Sequence, residues 1–272
     1  MKTIAIFGVP RSGTSWLGQI FNSSPMVAYR YQPLFSFAFK DRLNPHSSAQ
    51  DVASFYTELL NTKDDFVLQK RNVSGSDEVQ FSKSEKCTHM VWKEVRYLHI
   101  IENLLAASET KIIGIVRHPC AVINSWLRAP KEFKSDWNPD QEWKSAPKKN
   151  AGKPEEYNGY VKWKEIAFLY SDLLKRYPDR FRLILYESLL QQTNLEMKRL
   201  FDFVGLEFGS QTEDFILKSM STGSDDPYGV LRQSQEPDKW KTELAPAIRE
   251  GILEDDDFRK LNQYYQWENY NS

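Results

Sequence analysis

The sequence predicts an α/β fold of three layers, a mostly parallel central sheet with helices on both faces. Short β-branched runs alternate along the chain with longer stretches of helical spacing, and the first run passes through a loop rich in small residues directly into a helix. No internal repeat interrupts this order. With 272 residues, 40% hydrophobic and 14% aromatic, the chain can bury one substantial core, and a single domain over residues 1–272 is expected.

Taken in order, "TIAIFG" (3–8) is short, β-branched and bounded by Gly and Pro, which predicts a buried strand, and "SWLGQIF" after the loop has helical spacing. "MVAYRY" (26–31) reads as a second strand ending at Gln32-Pro33, and residues 46–61 as a helix followed by a polar loop. "THMVWKEV" (88–95) and "KIIGIV" (111–116) are the next strands, with the helical pattern "LHIIENLLAAS" between them. "PCAVINSWL" begins a helix at Pro119, where the missing N–H costs little. "FRLILYE" (181–187) is a further strand, flanked by helices over about 157–177 and 194–204. Residues 128–159, rich in Lys, Pro, Asp and Trp, read as a loop or lid insertion.

A net charge of −1 argues against steering of the whole protein toward nucleic acid, and no nucleic-acid partner is expected. Cys87 and Cys120 form neither a C-x-x-C nor a disulfide framework, which fits a reducing compartment; a cytoplasmic location is expected. The apolar run in "MKTIAIFG" is too short for a signal-peptide core, and no other run approaches a membrane span.

The loop "GVPRSGTS" has Gly8, four residues, then Gly13, the spacing of a phosphate-binding loop, but Thr14 stands where such a loop carries Lys. A turn of this kind between a strand and a helix N-terminus aims backbone N–H groups and partial positive charge at an anion. Ser12, Thr14 and Ser15 add hydroxyls, and Arg11 adds a charge that does not titrate. A magnesium-dependent kinase would want the missing Lys and an acid closing a neighbouring strand, yet "KIIGIV" ends in Arg117-His118-Pro119. Glu187 closes "RLILYE" and is a better helix cap or Arg partner than metal ligand; no metal site is expected. Arg117 leaves a strand and Ser125 lies about two turns into the next helix, so the two can clasp one phosphate.

Together these segments resemble the sulfotransferases that use 3′-phosphoadenosine 5′-phosphosulfate (PAPS), closest in style to carbohydrate and bacterial members. "PRSGTSWL" is similar to their 5′-phosphosulfate loop and "RHPCAVINSW" to their 3′-phosphate motif. "ILYESL" resembles a common Y-E-D-L segment, and "LRQSQEPDKWKTEL" (231–244) an R-x-S then W-x-x-x-L region. The resemblance implies a P-loop NTPase-like three-layer sandwich and transfer of a sulfuryl group, in line and without a metal, from PAPS as co-substrate to an acceptor hydroxyl, less commonly an amine. It places the donor against Arg11, Ser12, Gly13, Thr14, Ser15, Trp16, Arg117, Ser125, Arg232 and Ser234. Lys93 resembles a second catalytic Lys on the sulfonate.

The proton acceptor departs from the family. Where cytosolic members carry His, two residues after the strand Lys, stands Val95, and where carbohydrate members carry Glu before Pro stands Gln32, whose amide takes no proton. Glu94 is the carboxylate left in a motif position, although adjacent strand residues face opposite ways, so it joins Lys93 only if the strand ends or bends there. His99 and His118 are the fallbacks. Tyr31, Phe35, Phe37, Trp126, Trp137 and Trp143, with Lys144, Lys148, Lys149 and Lys153, tilt the expected acceptor toward carbohydrate. A P-loop kinase for a small molecule or nucleotide, and a nucleotide-binding protein without turnover, are the alternatives.

Overall fold

The structure, a computed structural model, describes residues 1–70, 80–221 and 237–267. Five strands form one sheet: β1 (Lys2–Phe7), β2 (Val27–Tyr31), β3 (His89–Glu94), β4 (Lys111–Val116) and β5 (Phe181–Leu185). Their order is β2-β3-β1-β4-β5 and every pairing is parallel, as crossover helices require. The helices are α1 (Thr14–Ser23), α2 (Ala49–Leu60), α3 (Ile101–Ala107), α4 (Pro119–Leu127), α5 (Pro139–Glu142), α6 (Pro147–Asn150) and α7 (Tyr160–Arg176). They continue with α8 (Tyr186–Gln191), α9 (Thr193–Val204), α10 (Ser210–Ser221), α11 (Trp240–Glu243), α12 (Pro246–Leu253) and α13 (Asp256–Tyr265).

The alternation of strand side chains builds two cores. Ile4, Ile6, Val91, Ile113 and Ile115 pack against Leu17, Ile20 and Phe21 of α1 and Leu200 and Phe201 of α9. Ala5, Phe7, Met90, Trp92 and Ile112 face the other layer, where they meet Phe55 of α2, Leu104 of α3 and Tyr170 of α7. The sheet is therefore covered on both faces, which is why its strands read as near-continuous apolar runs.

The expected elements are all present, with shifts at their ends. The strand over 181–187 stops at Leu185, because Tyr186 and Glu187 already belong to α8. Glu187 is the helix-start acceptor that its position suggested: its carboxylate takes the His118 N–H at 2.9 Å. Residues 128–159, expected as a loop or lid insertion, contain two short helices, α5 and α6. The Glu142 carboxylate accepts the N–H groups of Lys148 and Lys149, and Asn150 exchanges hydrogen bonds with Asn158, which ties the segment to itself. His118, stacked 4.5 Å from Trp240 and fully buried, is a packed ring whose pKa burial pushes down to about 3.

Phe21 is fully buried and stacks on Phe201 at 4.9 Å, joining α1 to α9 beneath the loop. Phe21→Ala should lower the unfolding free energy by about 3–5 kcal/mol in urea denaturation; an unchanged midpoint would show that this layer does not hold the loop in place.

Candidate active site

A cavity of about 410 Å³ opens at the C-terminal edge of the sheet, and the ends of all five strands contribute to its lining: Arg11 after β1, Gln32 after β2, Lys93 and Arg96 at β3, Arg117 after β4 and Tyr186 after β5. This edge, where chain order reverses across β1, is the usual ligand crevice of an open parallel sheet.

The loop between β1 and α1 reaches the cavity through two left-handed residues, Arg11 at φ 72° and Gly13 at φ 94°. Gly13 has a second reason to lack a side chain: a Cβ there would lie 2.4 Å from the Tyr186 ring. Gly8 is similarly confined, since its Cβ would lie 2.8 Å from the Ile115 carbonyl oxygen. The first turn of α1 has no side-chain cap, so its N–H groups and the positive end of the helix face the cavity.

Three groups expected at an anion converge here. Arg11 Nε donates to Ser125 Oγ at 3.1 Å and its Nη1 meets Glu132 Oε1 at 3.2 Å. Arg117 Nη1 donates to the Arg11 carbonyl at 3.3 Å while its guanidinium lies 4.5 Å over the Tyr186 ring. The sequence-expected pair of Arg117 and Ser125 thus shares one site with Arg11. Two buried atoms of this region, Ser12 Oγ and Arg117 Nε, have no hydrogen-bond partner among the described residues. Trp16 lines the same cavity, anchored by its Nε1 to Ser219 Oγ at 3.0 Å and edge-on to Tyr186.

Lys93 and Glu94 part company. β3 stays regular through Glu94, in register with Ile6 and Phe7 of β1, so consecutive side chains go to opposite layers. Lys93 emerges on the α1 side, its Nζ 3.4 Å from Thr14 Oγ1, 3.2 Å from Ser15 Oγ and 4.5 Å over the Tyr31 ring. Burial pulls its pKa down, against the pull of Glu94 and Glu132 in the other direction. Glu94 goes to the layer of Phe7 and Trp92. Its Oε1 accepts the Leu34 N–H at 2.7 Å, it is fully buried, and burial pushes its pKa up. It does not line the cavity, so the expectation of Glu94 as the proton acceptor is corrected: it is a structural acid that ties residue 34 to β3.

The fallback histidines lie elsewhere. His118 sits in its aromatic box, and His99 stacks on Tyr157 at 6.4 Å; neither lines the cavity. Arg232 and Ser234 lie outside the described residues. At the mouth away from the loop, Arg96 lies 4.2 Å over the Phe35 ring and pairs with Glu156 at 2.7 Å, beside Phe66, Lys149 and Asn158. Sequence reasoning had singled out Tyr31, Phe35 and Lys149 but missed Arg96, Glu132 and Glu156. Their part in the site comes from crossovers that no local pattern reveals. Among the described residues no group of His, Cys, Asp and Glu has the arrangement of a metal site, and no helix is long and apolar enough to cross a membrane.

The sulfotransferase domain family profile matches residues 2–257. The chain belongs to that family. This sulfotransferase-family chain is 25% identical over 256 residues to human carbohydrate sulfotransferase 6, covering 76% of its own length and 64% of that protein. Carbohydrate sulfotransferase 5, also human, matches at the same identity over 76% and 62%. It therefore spans a little under two thirds of these curated relatives. Among solved structures it is similar to a mouse sulfotransferase complexed with PAP, the desulfated nucleotide, at TM-score 0.57 and 15% identity over 97% of this chain and 88% of that one. A sulfotransferase from Alicyclobacillus acidocaldarius gives TM-score 0.57 at 14% identity over 97% and 95%. The three-layer sandwich expected from the sequence is the fold these structures share.

Gly13→Ala forces a left-handed alanine into the Tyr186 ring, at a strain of about 1–3 kcal/mol. PAP affinity measured by calorimetry should fall, because the ring that moves also carries Arg117; unchanged affinity and melting temperature would show that the loop tolerates a side chain there.

Proposed function

We propose that this cavity transfers the sulfuryl group of PAPS to a hydroxyl of a small-molecule or carbohydrate acceptor. The observation that carries the reading is the convergence of Arg11, Arg117 and Ser125 on the N-terminus of α1, with Lys93 beside the loop hydroxyls of Thr14 and Ser15. Six basic side chains line the cavity, Arg11, Lys93, Arg96, Arg117, Lys131 and Lys149, against the two carboxylates Glu132 and Glu156. The excess suits a donor that carries about four negative charges at neutral pH, nearly two of them on a phosphate monoester. A donor of that charge balances the cavity by itself, which favours an uncharged acceptor.

Each residue then has a task. Arg117 and Ser125 hold the 3′-phosphate, and the loop N–H groups with Arg11 hold the 5′ end. When the acceptor oxygen bonds to sulfur, the bridging S–O bond breaks and its electron pair goes to the 5′-phosphate oxygen, where Arg11 and the helix N-terminus meet the growing charge. Lys93, drawn toward neutrality in the free protein, becomes a full cation once anionic oxygens arrive, and so strengthens its hold as the sulfuryl group moves. Tyr31, Phe35 and Phe66 offer ring faces at the mouth on which a sugar or aromatic acceptor can stack. The names of the two human relatives add weight to a sugar. For location we propose a reducing compartment such as the cytoplasm, since Cys87 and Cys120 are both free thiols.

The test is an acceptor panel of sugars and phenols incubated with radiolabelled PAPS in excess EDTA. Label should appear on at least one hydroxyl acceptor, with loss of transfer in Arg11→Met. Transfer abolished by chelator and restored by magnesium, with ATP as donor, would instead establish a kinase. Firm PAP binding without transfer to any acceptor would establish a nucleotide-binding protein.

A further inference from the structure

A hydroxyl that accepts a sulfuryl group must lose a proton, and the positions expected to take it do not serve. Glu94 lies on the wrong side of β3, Gln32 carries an amide, and His99 and His118 are outside the cavity. Among the described residues two carboxylates remain in the lining, Glu132 and Glu156.

Glu156 is already committed. It is 5% exposed, Arg96 Nη2 lies 2.7 Å from its Oε1, and Asn158 Nδ2 donates to its Oε2 at 3.4 Å. Releasing it would leave the cation stacked on Phe35 without its counter-charge, a costly change at a half-buried site.

Glu132 stands differently. Its side chain is 24% exposed, and its contact is with Arg11 Nη1, the guanidinium that the 5′ end of the donor claims. Its carboxylate lines the same cavity as Lys93 and Tyr31, and its negative charge acts on both. Its backbone is fixed: Glu132 and Phe133 both donate to the Ala129 carbonyl, at 2.9 and 2.8 Å, and the Phe133 ring packs edge-on against Trp126 and Trp137. Ser125 is on α4 just before this turn, so the 3′-phosphate serine and the carboxylate ride on one packed unit.

We propose that Glu132 is the general base of the transfer, an assignment that rests on the sulfuryl-transfer reading above. In the free protein its carboxylate neutralises Arg11. When the donor arrives, Arg11 turns to the anionic oxygens and the carboxylate is freed beside the acceptor. One carboxylate oxygen takes the acceptor's O–H proton as the acceptor oxygen bonds to sulfur. The bridging S–O bond breaks with its electrons to PAP, and the resulting carboxylic acid gives its proton to solvent after product leaves.

This exchange of partners gives a signature that a merely structural role lacks. Glu132→Gln removes the proton acceptor and also the anion that competes with the donor for Arg11. With the most rapidly sulfated hydroxyl of the panel, kcat should fall by about 10² to 10⁴, while PAP affinity by calorimetry stays equal or rises. Glu132→Asp should recover part of kcat. A Gln variant with wild-type kcat overturns the assignment, as does a parallel fall of kcat and PAP affinity in which Asp is no better than Gln, since that is the mark of a residue that only positions Arg11. A wild-type protein that binds PAP but sulfates no hydroxyl removes the underlying reading instead, and is distinguished by the wild-type control alone.

Discussion

A parallel sheet delivers the C-terminal end of every strand to the same edge, and the rest of this molecule follows from that constraint. Five strands in the order β2-β3-β1-β4-β5 bring Arg11, Gln32, Lys93, Arg117 and Tyr186 to one cavity, although up to 175 residues separate them in the chain. The middle strand of the sheet ends in the loop that leads into α1, so the helix dipole and the loop N–H groups occupy the centre, and the charged side chains of the flanking strands surround them.

Concentrating cations at one edge has an electrostatic cost that the fold manages locally. Arg11 is met by Ser125 and Glu132, Arg96 by Glu156 and the Phe35 face, and Arg117 in part by a carbonyl and the Tyr186 face, its Nε left without a partner among the described residues. Lys93, the most deeply buried of them, yields instead by shifting toward its neutral form. The neutral partners among these, a hydroxyl, a carbonyl and a ring face, are weaker than a phosphate oxygen would be, so Arg117 in particular is held in an arrangement that an anionic donor can take over.

How far the sequence carried is set by the range of the signals. The strands, α1 and α4 were legible because apolar period, Gly spacing and Pro119 are local facts; the helix over 119–127 coincides with its sequence pattern to the residue. Arg11, Arg117, Ser125 and Lys93 were legible because motif spacing fixes them relative to strand ends. Glu94 failed on a question of parity: its neighbour Lys93 faces the loop, and a strand that neither ends early nor bends sends the next residue to the opposite layer. Glu132, Arg96 and Glu156 gave no local signal, since an acidic residue after a helix looks the same whether it meets solvent or, across the fold, an arginine 121 positions away. Helices α10, α12 and α13 were not anticipated either; α12 and α13 build the outer wall of one core through residues such as Ile248 and Phe258.

The central claim is that this edge of the sheet is shaped for a nucleotide with phosphates at both the 3′ and 5′ positions. Calorimetry of PAP against adenosine 5′-phosphate, at one salt concentration, tests it most directly. Two charge-assisted or hydroxyl contacts from Arg117 and Ser125 predict that PAP binds tighter by about 10²-fold. Equal affinity for the two nucleotides would contradict the account, because it would mean that Arg117 and Ser125 meet for some purpose other than a 3′-phosphate.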